Sequence, residues 1–431
     1  MTLGTVLRLG VAPAPTVTVR SVRTAHESGP ALTDLLTVAR RDNPRRQVLF
    51  VSTVLGKHLA VDPGVPVLAG MAVGELVDQC LGGRPRTTAG HLLAETVRSD
   101  RRVTADDLGT PAAGEPCIVL GFAETATGLT HAVRRALGIG PIGHTTRVGT
   151  GEPLLTVTES HSHAVDHTVH HDDVDFLADD APVVIVDDEF TTGATALDMI
   201  LGIQRRWPRR RYVLASLIDW RSDARRQEMA DAVAAVGARL DSVSLVDADI
   251  EIGHAPVLGV PPEGRHRQPG DDESMPVAAP PIDTTSVDIG PPTARRGWTS
   301  AHQSSVEGRI VSAAAVLASR RHGDTALVLG LEELMYVPML LGVHLGPGVR
   351  TCSTTRSPIV PAHTTGYPIR DRVKFPVTNG DADGTRFLHN LADQRYDDVF
   401  VVADDPLPRP DHELFGHLAR LSDHLHLVAL A

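Results

Sequence analysis

Aromatic residues make up only 3% of this 431-residue chain, so its cores must be built from Val, Leu, Ile and Ala. The three cysteines, Cys80, Cys117 and Cys352, are odd in number and far apart. That excludes a disulfide framework and a Cys-x-x-Cys metal site, and a reducing, cytoplasmic setting is the expectation. No run of about 18 apolar residues occurs, and Met1 to Arg20 holds no apolar stretch of signal-peptide length. Neither a membrane span nor a leader is therefore expected. Lysine is nearly missing: Lys57 and Lys374 are the two, every other Lys/Arg position being Arg. A retained Lys marks a place where a compact ammonium is wanted. The net charge of -12 argues against nucleic acid and anionic membranes as partners, while leaving room for a local basic pocket.

What is present points to an α/β protein of two or three domains. Strands are expected at 47–52, 115–121, 183–186, 212–218 and 242–246, with helices at 128–137 and 222–237. That alternation predicts a parallel sheet. From 253 to 299 Pro and Gly dominate, including Pro280-Pro281 and Pro291-Pro292, and the stretch reads as a linker. The alternation resumes over 300–431. The expected domains are thus 1–252 and 300–431, joined by 253–299.

The most informative stretch runs from Val183 to Thr195. Val183-Val184-Ile185-Val186 predicts a strand buried on both faces. Asp187 and Asp188 follow at its carboxyl end, where open α/β sheets bind ligands. Carboxylates only accept hydrogen bonds, so a vicinal diol suits them. Thr191-Thr192-Gly193-Ala194-Thr195 comes next. Gly193 permits a tight turn, and its small neighbours let backbone N–H groups reach an anion. The pattern from Ala196 to Leu201 then opens a helix, whose N-terminus favours phosphate. Diol at the carboxylates and phosphate at the loop describe a ribose 5-phosphate.

An apolar run, two acidic residues, two variable positions and Thr-Thr-Gly: this order resembles the phosphoribosyl-diphosphate (PRPP) motif of type I phosphoribosyltransferases. The resemblance implies a parallel-sheet type I phosphoribosyltransferase-like α/β domain, followed here by a second, smaller α/β domain. It implies PRPP and a small-molecule acceptor as ligands, with Asp187 and Asp188 catalytic and Mg²⁺ held at them through PRPP. It also implies an anion site for the leaving diphosphate in the turn after an earlier strand, here Glu124-Thr125-Ala126-Thr127-Gly128.

Glu124 departs from the Lys or Gly-Gly common in such turns. Beside a diphosphate it needs an intervening cation such as Mg²⁺; otherwise it caps the following helix. Gly56-Lys57-His58 resembles the basic turn of orotate-type enzymes, so Lys57 either contacts diphosphate or acceptor, or is a solvated loop residue. Arg147 either clamps phosphate or lies on the surface. In the interval where such enzymes carry a hood over the site, five His fall in eleven residues: His161, His163, His167, His170 and His171. They fit acid–base chemistry by His161 and His163. They also fit metal ligation (His161 with His163 along a strand, His163 with His167 along a helix), or a polar loop.

The chain also repeats itself. Val119-Leu120-Gly121 recurs as Val328-Leu329-Gly330, Glu124 as Glu333 and Thr145-Thr146-Arg147 as Thr354-Thr355-Arg356, all 209 positions later. Val399-Phe400-Val401-Val402-Ala403-Asp404-Asp405 matches the apolar run and acidic pair. It continues as Pro406-Leu407-Pro408-Arg409-Pro410, which cannot offer the same N–H groups. The second domain is expected to be a diverged copy that lost its phosphate loop. It either leaves the chain to dimerise or takes a partner's place, with Arg356 or Lys374 over the PRPP pocket.

Thr354-Thr355-Arg356-Ser357-Pro358, with Glu332 to Pro338, resembles the TRSP domain, found behind phosphoribosyltransferase domains in bacterial gene clusters linked to tellurium resistance and stress. That context implies synthesis of a nucleoside-like metabolite. The alternative is a non-catalytic PRPP or nucleotide sensor.

Overall fold

Val183 to Val186 are fully buried, as a β-branched run with sheet on both sides should be. They open a strand in the middle of a large sheet in the computed structural model. It describes residues 7–43, 47–109, 114–138, 140–147, 151–157, 167–253, 278–378, 384–391 and 394–430, with Ser300 described in its backbone alone. The amino-terminal half begins with β1 (Leu7–Leu9), β2 (Val17–Thr24), α1 (Leu32–Leu35), β3 (Leu36–Arg40), β4 (Val48–Ser52), α2 (Gly64–Leu81), α3 (Thr88–Ser99) and α4 (Ala105–Leu108). It goes on through β5 (Ile118–Gly121), α5 (Thr127–Leu137), β6 (Ile142–Thr146), β7 (Leu155–Val157) and β8 (His167–Val169). It closes with β9 (Val183–Phe190), α6 (Ala194–Arg206), β10 (Arg211–Asp219), α7 (Asp223–Ala234) and β11 (Arg239–Ile252).

Among the described residues the first sheet has the order β1-β2-β11-β10-β9-β5-β6-β8-β7. Its centre, β11 to β6, is parallel. Antiparallel strands finish both edges: β2 and β1 beside β11, the β7–β8 hairpin beside β6. β3 and β4 form a separate antiparallel pair. β5 ends beside Val186 of β9, Phe122 N–H donating to Val186 O at 3.1 Å, so the turn after β5 lies next to the last residues of β9.

The second half holds β12 (Ile282–Val287), α8 (Ser300–Ala318), β13 (Ala326–Gly330), α9 (Tyr336–Leu345), β14 (Val349–Ser353), β15 (Arg372–Pro376), β16 (Thr385–His389), β17 (Asp398–Ala403), α10 (Glu413–Leu418) and β18 (Leu425–Leu430). Its sheet, β12-β18-β17-β13-β14, is parallel throughout, and β15–β16 form an antiparallel hairpin. β12 lies inside the stretch read above as a linker. Its polar sequence hides it, and pairing with β18 makes it a strand. Trp298, in the same stretch, exchanges backbone hydrogen bonds of 2.8 and 2.9 Å with Ile142 of β6. These residues therefore tie the two sheets together.

The central strands of the two sheets run in the same order, β10-β9-β5-β6 and β18-β17-β13-β14. The fifth place is filled differently: β11 follows β10 in the chain, whereas β12 precedes α8. α5 and α9 start 209 residues apart, at Thr127 and Tyr336. Ala123 N–H donates to Thr145 Oγ1 at 2.9 Å, and Glu332 N–H to Thr354 Oγ1 at 2.8 Å, again 209 residues on. Thr146 pairs with Thr168, and Thr355 bridges Phe387 in the same antiparallel sense. The repeated residues thus occupy equivalent backbone positions.

One continuous aliphatic core joins the halves through α2, α5, α8 and α9, including Val67, Val133, Leu317 and Leu341. Separate clusters cover the far faces of the first and second sheets. α2 is 18 residues long and apolar enough, by length and composition, to cross a membrane, although it carries Glu75 and Asp78. Here 78% of it is buried inside the fold, as a core helix. Gly70 and Gly74 let α5 approach. A Cβ at Gly70 would stand 2.3 Å from Ala132 Cβ, and one at Gly74 2.6 Å from Ala136 Cβ. Gly70→Val is expected to lower the unfolding free energy by about 3 kcal/mol, the upper end for overpacking. Urea melts measure it, and a change below about 1 kcal/mol would show that the helices are not this close.

Candidate functional site

The site grows from the carboxyl end of β9. The strand runs through Asp187, Asp188 and Glu189, because these residues pair with β10 (Ser216 opposite Asp187, Ile218 opposite Glu189). All three are partly buried. Burial, and then the charge of Asp188, push the Asp187 carboxyl well above the ordinary range. Burial also raises Asp188, against the charges of Lys57 and Arg41. Glu189 is pushed up to about 8 by burial and by Asp188, although Trp220 Nε1 donates to it at 2.7 Å.

These shifts set a pH dependence. An elevated folded value means that Glu189 keeps its proton in the folded chain between its ordinary 4.5 and about 8. Its contribution to stability is full below about pH 4.5 and is lost as pH rises through 8. The melting temperature of the ligand-free protein is expected to fall by several degrees between about pH 6 and 8.5, and Glu189→Gln to flatten the profile. An identical slope in the variant would refute the assignment.

Beyond Phe190, Thr191 and Thr192 are exposed. Gly193 has φ 72°, and a Cβ there would lie 2.6 Å from Met229 Sδ on α7. Both the left-handed backbone and the contact with α7 require glycine. The loop is held by Ala194 N–H on Thr192 Oγ1 (3.3 Å) and by Arg225 Nε on Thr192 O (3.1 Å). Ala194 and Thr195, half-buried, open α6, so the first N–H groups of the helix stand beside the exposed threonines.

The stretch from Glu124 to Gly128 follows β5, its first three residues as a turn and its last two as the start of α5. Ala126 N–H donates to Phe122 O at 3.1 Å, and the N–H and Oγ1 of Thr127 both donate to Glu124 O, at 3.3 and 3.0 Å. These groups hold the turn itself. Gly128 is buried where a Cβ would meet Met339 and Met335 on and before α9, so its smallness admits the second half of the chain. Thr125 remains, half-buried.

Glu124 does not cap α5, whose capping position is Ala126. Its side chain is 6% exposed and pairs with Lys57 Nζ at 3.4 Å and Arg356 Nε at 2.5 Å. Burial alone would raise this carboxyl; Lys57, Arg356, Arg386 and Arg147 outweigh it and hold it below the usual range. The cations expected beside Glu124 are thus side chains of the chain itself. Lys57 is buried rather than solvated, and its Nζ also reaches Thr125 Oγ1 at 3.1 Å. Its charge acts on Asp188 too, which links the turn to the acidic strand end.

Arg147 donates from Nη2 to His167 Nε2 at 2.9 Å, and His167 Nδ1 meets Thr145 Oγ1 at 3.0 Å. His167 opens β8, and both its ring nitrogens are engaged. His161 and His163 lie outside the described residues. His170 and His171 are buried by local contacts, His170 with Thr168 and His171 stacked on Phe176.

The second half reaches in through Arg356. Reciprocally, Thr146 Oγ1 donates to both oxygens of Glu333 at 2.9 and 3.0 Å. Lys374 is exposed on β15. Arg386, across that hairpin on β16, is buried on Glu332 at 2.7 Å, a cation the sequence did not single out. The corresponding place in the second sheet is closed by Arg295, which bonds Glu333 at 2.9 Å and Asp404 at 3.3 Å.

No curated protein matches the sequence. Among solved structures, an adenine phosphoribosyltransferase from Rhodothermus marinus is 16% identical, with a TM-score of 0.31 over 49% of this chain and 94% of that one. The Trypanosoma brucei enzyme, in complex with AMP, pyrophosphate and ribose-5-phosphate, is 11% identical, with a TM-score of 0.32 over 56% and 86%. An orotate phosphoribosyltransferase from Aeropyrum pernix is 22% identical, with a TM-score of 0.21 over 39% and 92%. Such low scores carry no weight in the assignment. Residues 35–249 match the phosphoribosyl transferase family, and residues 292–418 match the TRSP domain, described as C-terminal to that transferase domain. The chain belongs to the family in which a phosphoribosyl transferase domain of α/β fold is followed by a TRSP domain.

Proposed function

We propose that the chain transfers the phosphoribosyl group of PRPP to a nitrogen of a base-like acceptor, releasing diphosphate, in the cytoplasmic synthesis of a nucleoside-like metabolite. What carries this reading is contiguity: Phe122 N–H, just past β5, bonds Val186 O at 3.1 Å, and the charge of Lys57 acts on both Glu124 and Asp188, so the turn after β5 and the acidic end of β9 lie side by side. In this reading Asp187 and Asp188 accept the ribose hydroxyls. The N–H groups opening α6, with Thr191, Thr192 and Thr195, hold the 5-phosphate. Lys57, Thr125 and Arg147 face the diphosphate.

The acceptor nitrogen bonds to the anomeric carbon as the carbon–oxygen bond to diphosphate breaks. The electron pair leaves with diphosphate, and the acceptor's N–H proton passes to solvent. Positive charge builds on the sugar, and fixed carboxylates beside it stabilise that charge. The two carboxyls at 187 and 188, crowded together and pushed upward by burial, are hard oxygen donors, and so fit Mg²⁺. When bound there with PRPP, Mg²⁺ supplies charge neutralisation for the diphosphate.

We further propose that the second half is a diverged copy standing where a partner subunit would. The shared strand order, the paired Thr145 and Thr354 hydrogen bonds and the exchange of Arg356 for Thr146 across the interface support this. A second reading, a PRPP-responsive sensor without turnover, has one feature in its favour: Glu124 already neutralises cations where diphosphate would lie.

Incubation with PRPP, Mg²⁺ and a panel of purine, pyrimidine and pyridine bases separates the two. Diphosphate release with any one acceptor supports transfer. PRPP binding without release supports the sensor, and absence of both overturns the two together.

A further inference from the structure

At the opposite, amino-terminal edge of the second sheet lies a cluster that the proposed transfer does not use. His322, in the turn between α8 and β13, Asp398, the first residue of β17, and His426, the second of β18, bring one ligand atom each to within 4.8 Å of one another. Asp398 and His426 are buried. His322 Nδ1 and His426 Nε2 both point at the same oxygen, Asp398 Oδ1, each at 2.8 Å. The other carboxylate oxygen accepts the His322 N–H at 2.8 Å, which fixes the plane of the group.

Two features mark more than a hydrogen-bonded trio. The rings are set by stacking: His426 on Phe400, centroids 4.4 Å apart, and His322 on His424 at 3.6 Å. The buried Nδ1 of His426 makes no hydrogen bond, its neighbour Asp283 Oδ2 standing 3.6 Å away. Asp283 is itself held by Arg320 at 2.7 Å. A neutral imidazole carries its proton on either nitrogen. Moving the His426 proton to Nδ1 aims it at Asp283 and frees Nε2. On His322, whose side chain is half exposed, the opposite shift, to Nε2, frees Nδ1. Both lone pairs then converge with a carboxylate oxygen. A ligating His that passes its other N–H to a carboxylate is the usual support of a metal ligand.

We infer that His322, Asp398 and His426 form a binding site for a divalent transition metal, with Zn²⁺ as the ion and water in the fourth position. Two imidazoles and one carboxylate suit Zn²⁺, whereas Mg²⁺ and Ca²⁺ want oxygen ligands alone. The ion would pin the α8–β13 turn to β17 and β18.

Equilibrium dialysis of the full chain against Zn²⁺, with elemental analysis, tests this. The expected result is one tightly bound equivalent that excess Mg²⁺ does not displace. His322→Ala and His426→Gln should each weaken it by about 100-fold or more, and Asp283→Asn, acting through His426, by about 10- to 100-fold. His161→Asn/His163→Asn should leave it in place, which separates this site from the His-rich hood. His322 is exposed enough for its variant to fold, and far-ultraviolet circular dichroism confirms that. No tight equivalent in the wild type, or one that survives His322→Ala in folded protein, overturns the inference.

Discussion

Converting Asp187 and Asp188 together to Asn is expected to lower kcat/KM for PRPP by about 10²- to 10⁴-fold. Each hydrogen bond to a charged acceptor is worth about 1.5–3 kcal/mol, and each diol hydroxyl loses one. The amides keep the shape of the carboxyls, so the loss should appear in PRPP binding and turnover, not in folding. Stability should hold or rise, because burial pushes both carboxyls upward in the folded chain, and at Asp187 the charge of Asp188 adds to it. Steady-state diphosphate release and thermal melts check the two halves of this expectation. A loss under tenfold would mean that the diol lies elsewhere.

Arg356→Met should be the most damaging single change made from the second half of the chain. It strips one cation from a carboxylate that is 6% exposed, leaving Lys57 at 3.4 Å. Breaking a buried pair from one side costs about 3–5 kcal/mol, because the remaining charge stays buried. Arg356 is 21% exposed, so the lower end, about 3 kcal/mol, is expected. The sign with pH follows from Glu124. Its depressed folded value contributes stability above about pH 4.5 that is lost as pH falls, and the variant should lose this dependence in part. Glu124→Gln in the Arg356→Met background should restore much of the stability. A double-mutant cycle measures the coupling, and additivity within about 0.3 kcal/mol would show that the two residues do not interact.

The PRPP-like segment was legible because all its signals are local: a β-branched run, an acidic pair, a glycine that the left-handed bend requires, and a helix behind it. The length of β9 was not. Acidic residues are poor strand formers, and only pairing with β10 carries the strand through Asp187 to Phe190. β12 escaped notice for the same reason. α2 was not anticipated: Pro66, Gly70 and Gly74 are poor helix residues, and the two glycines seat α5. The rarity of lysine singled out Lys57, but its bond to Glu124, 67 residues away, belongs to tertiary structure. Arg356 was reachable through the 209-residue offset, whereas Arg386 carries no motif at all. His167 stood in view within the His-rich run, yet its role in tying Arg147 to Thr145 depends on the β6–β8 pairing.

On the proposed function, the acidic end of β9 grips an activated ribose phosphate, and the second half, proposed as a diverged copy, does not. Calorimetric titration of the full chain with PRPP in the presence of Mg²⁺ tests this most directly. The account predicts a single saturable site per chain, abolished by Asp187→Asn/Asp188→Asn. No binding heat, two equal sites per chain, or a site untouched by that variant would contradict it.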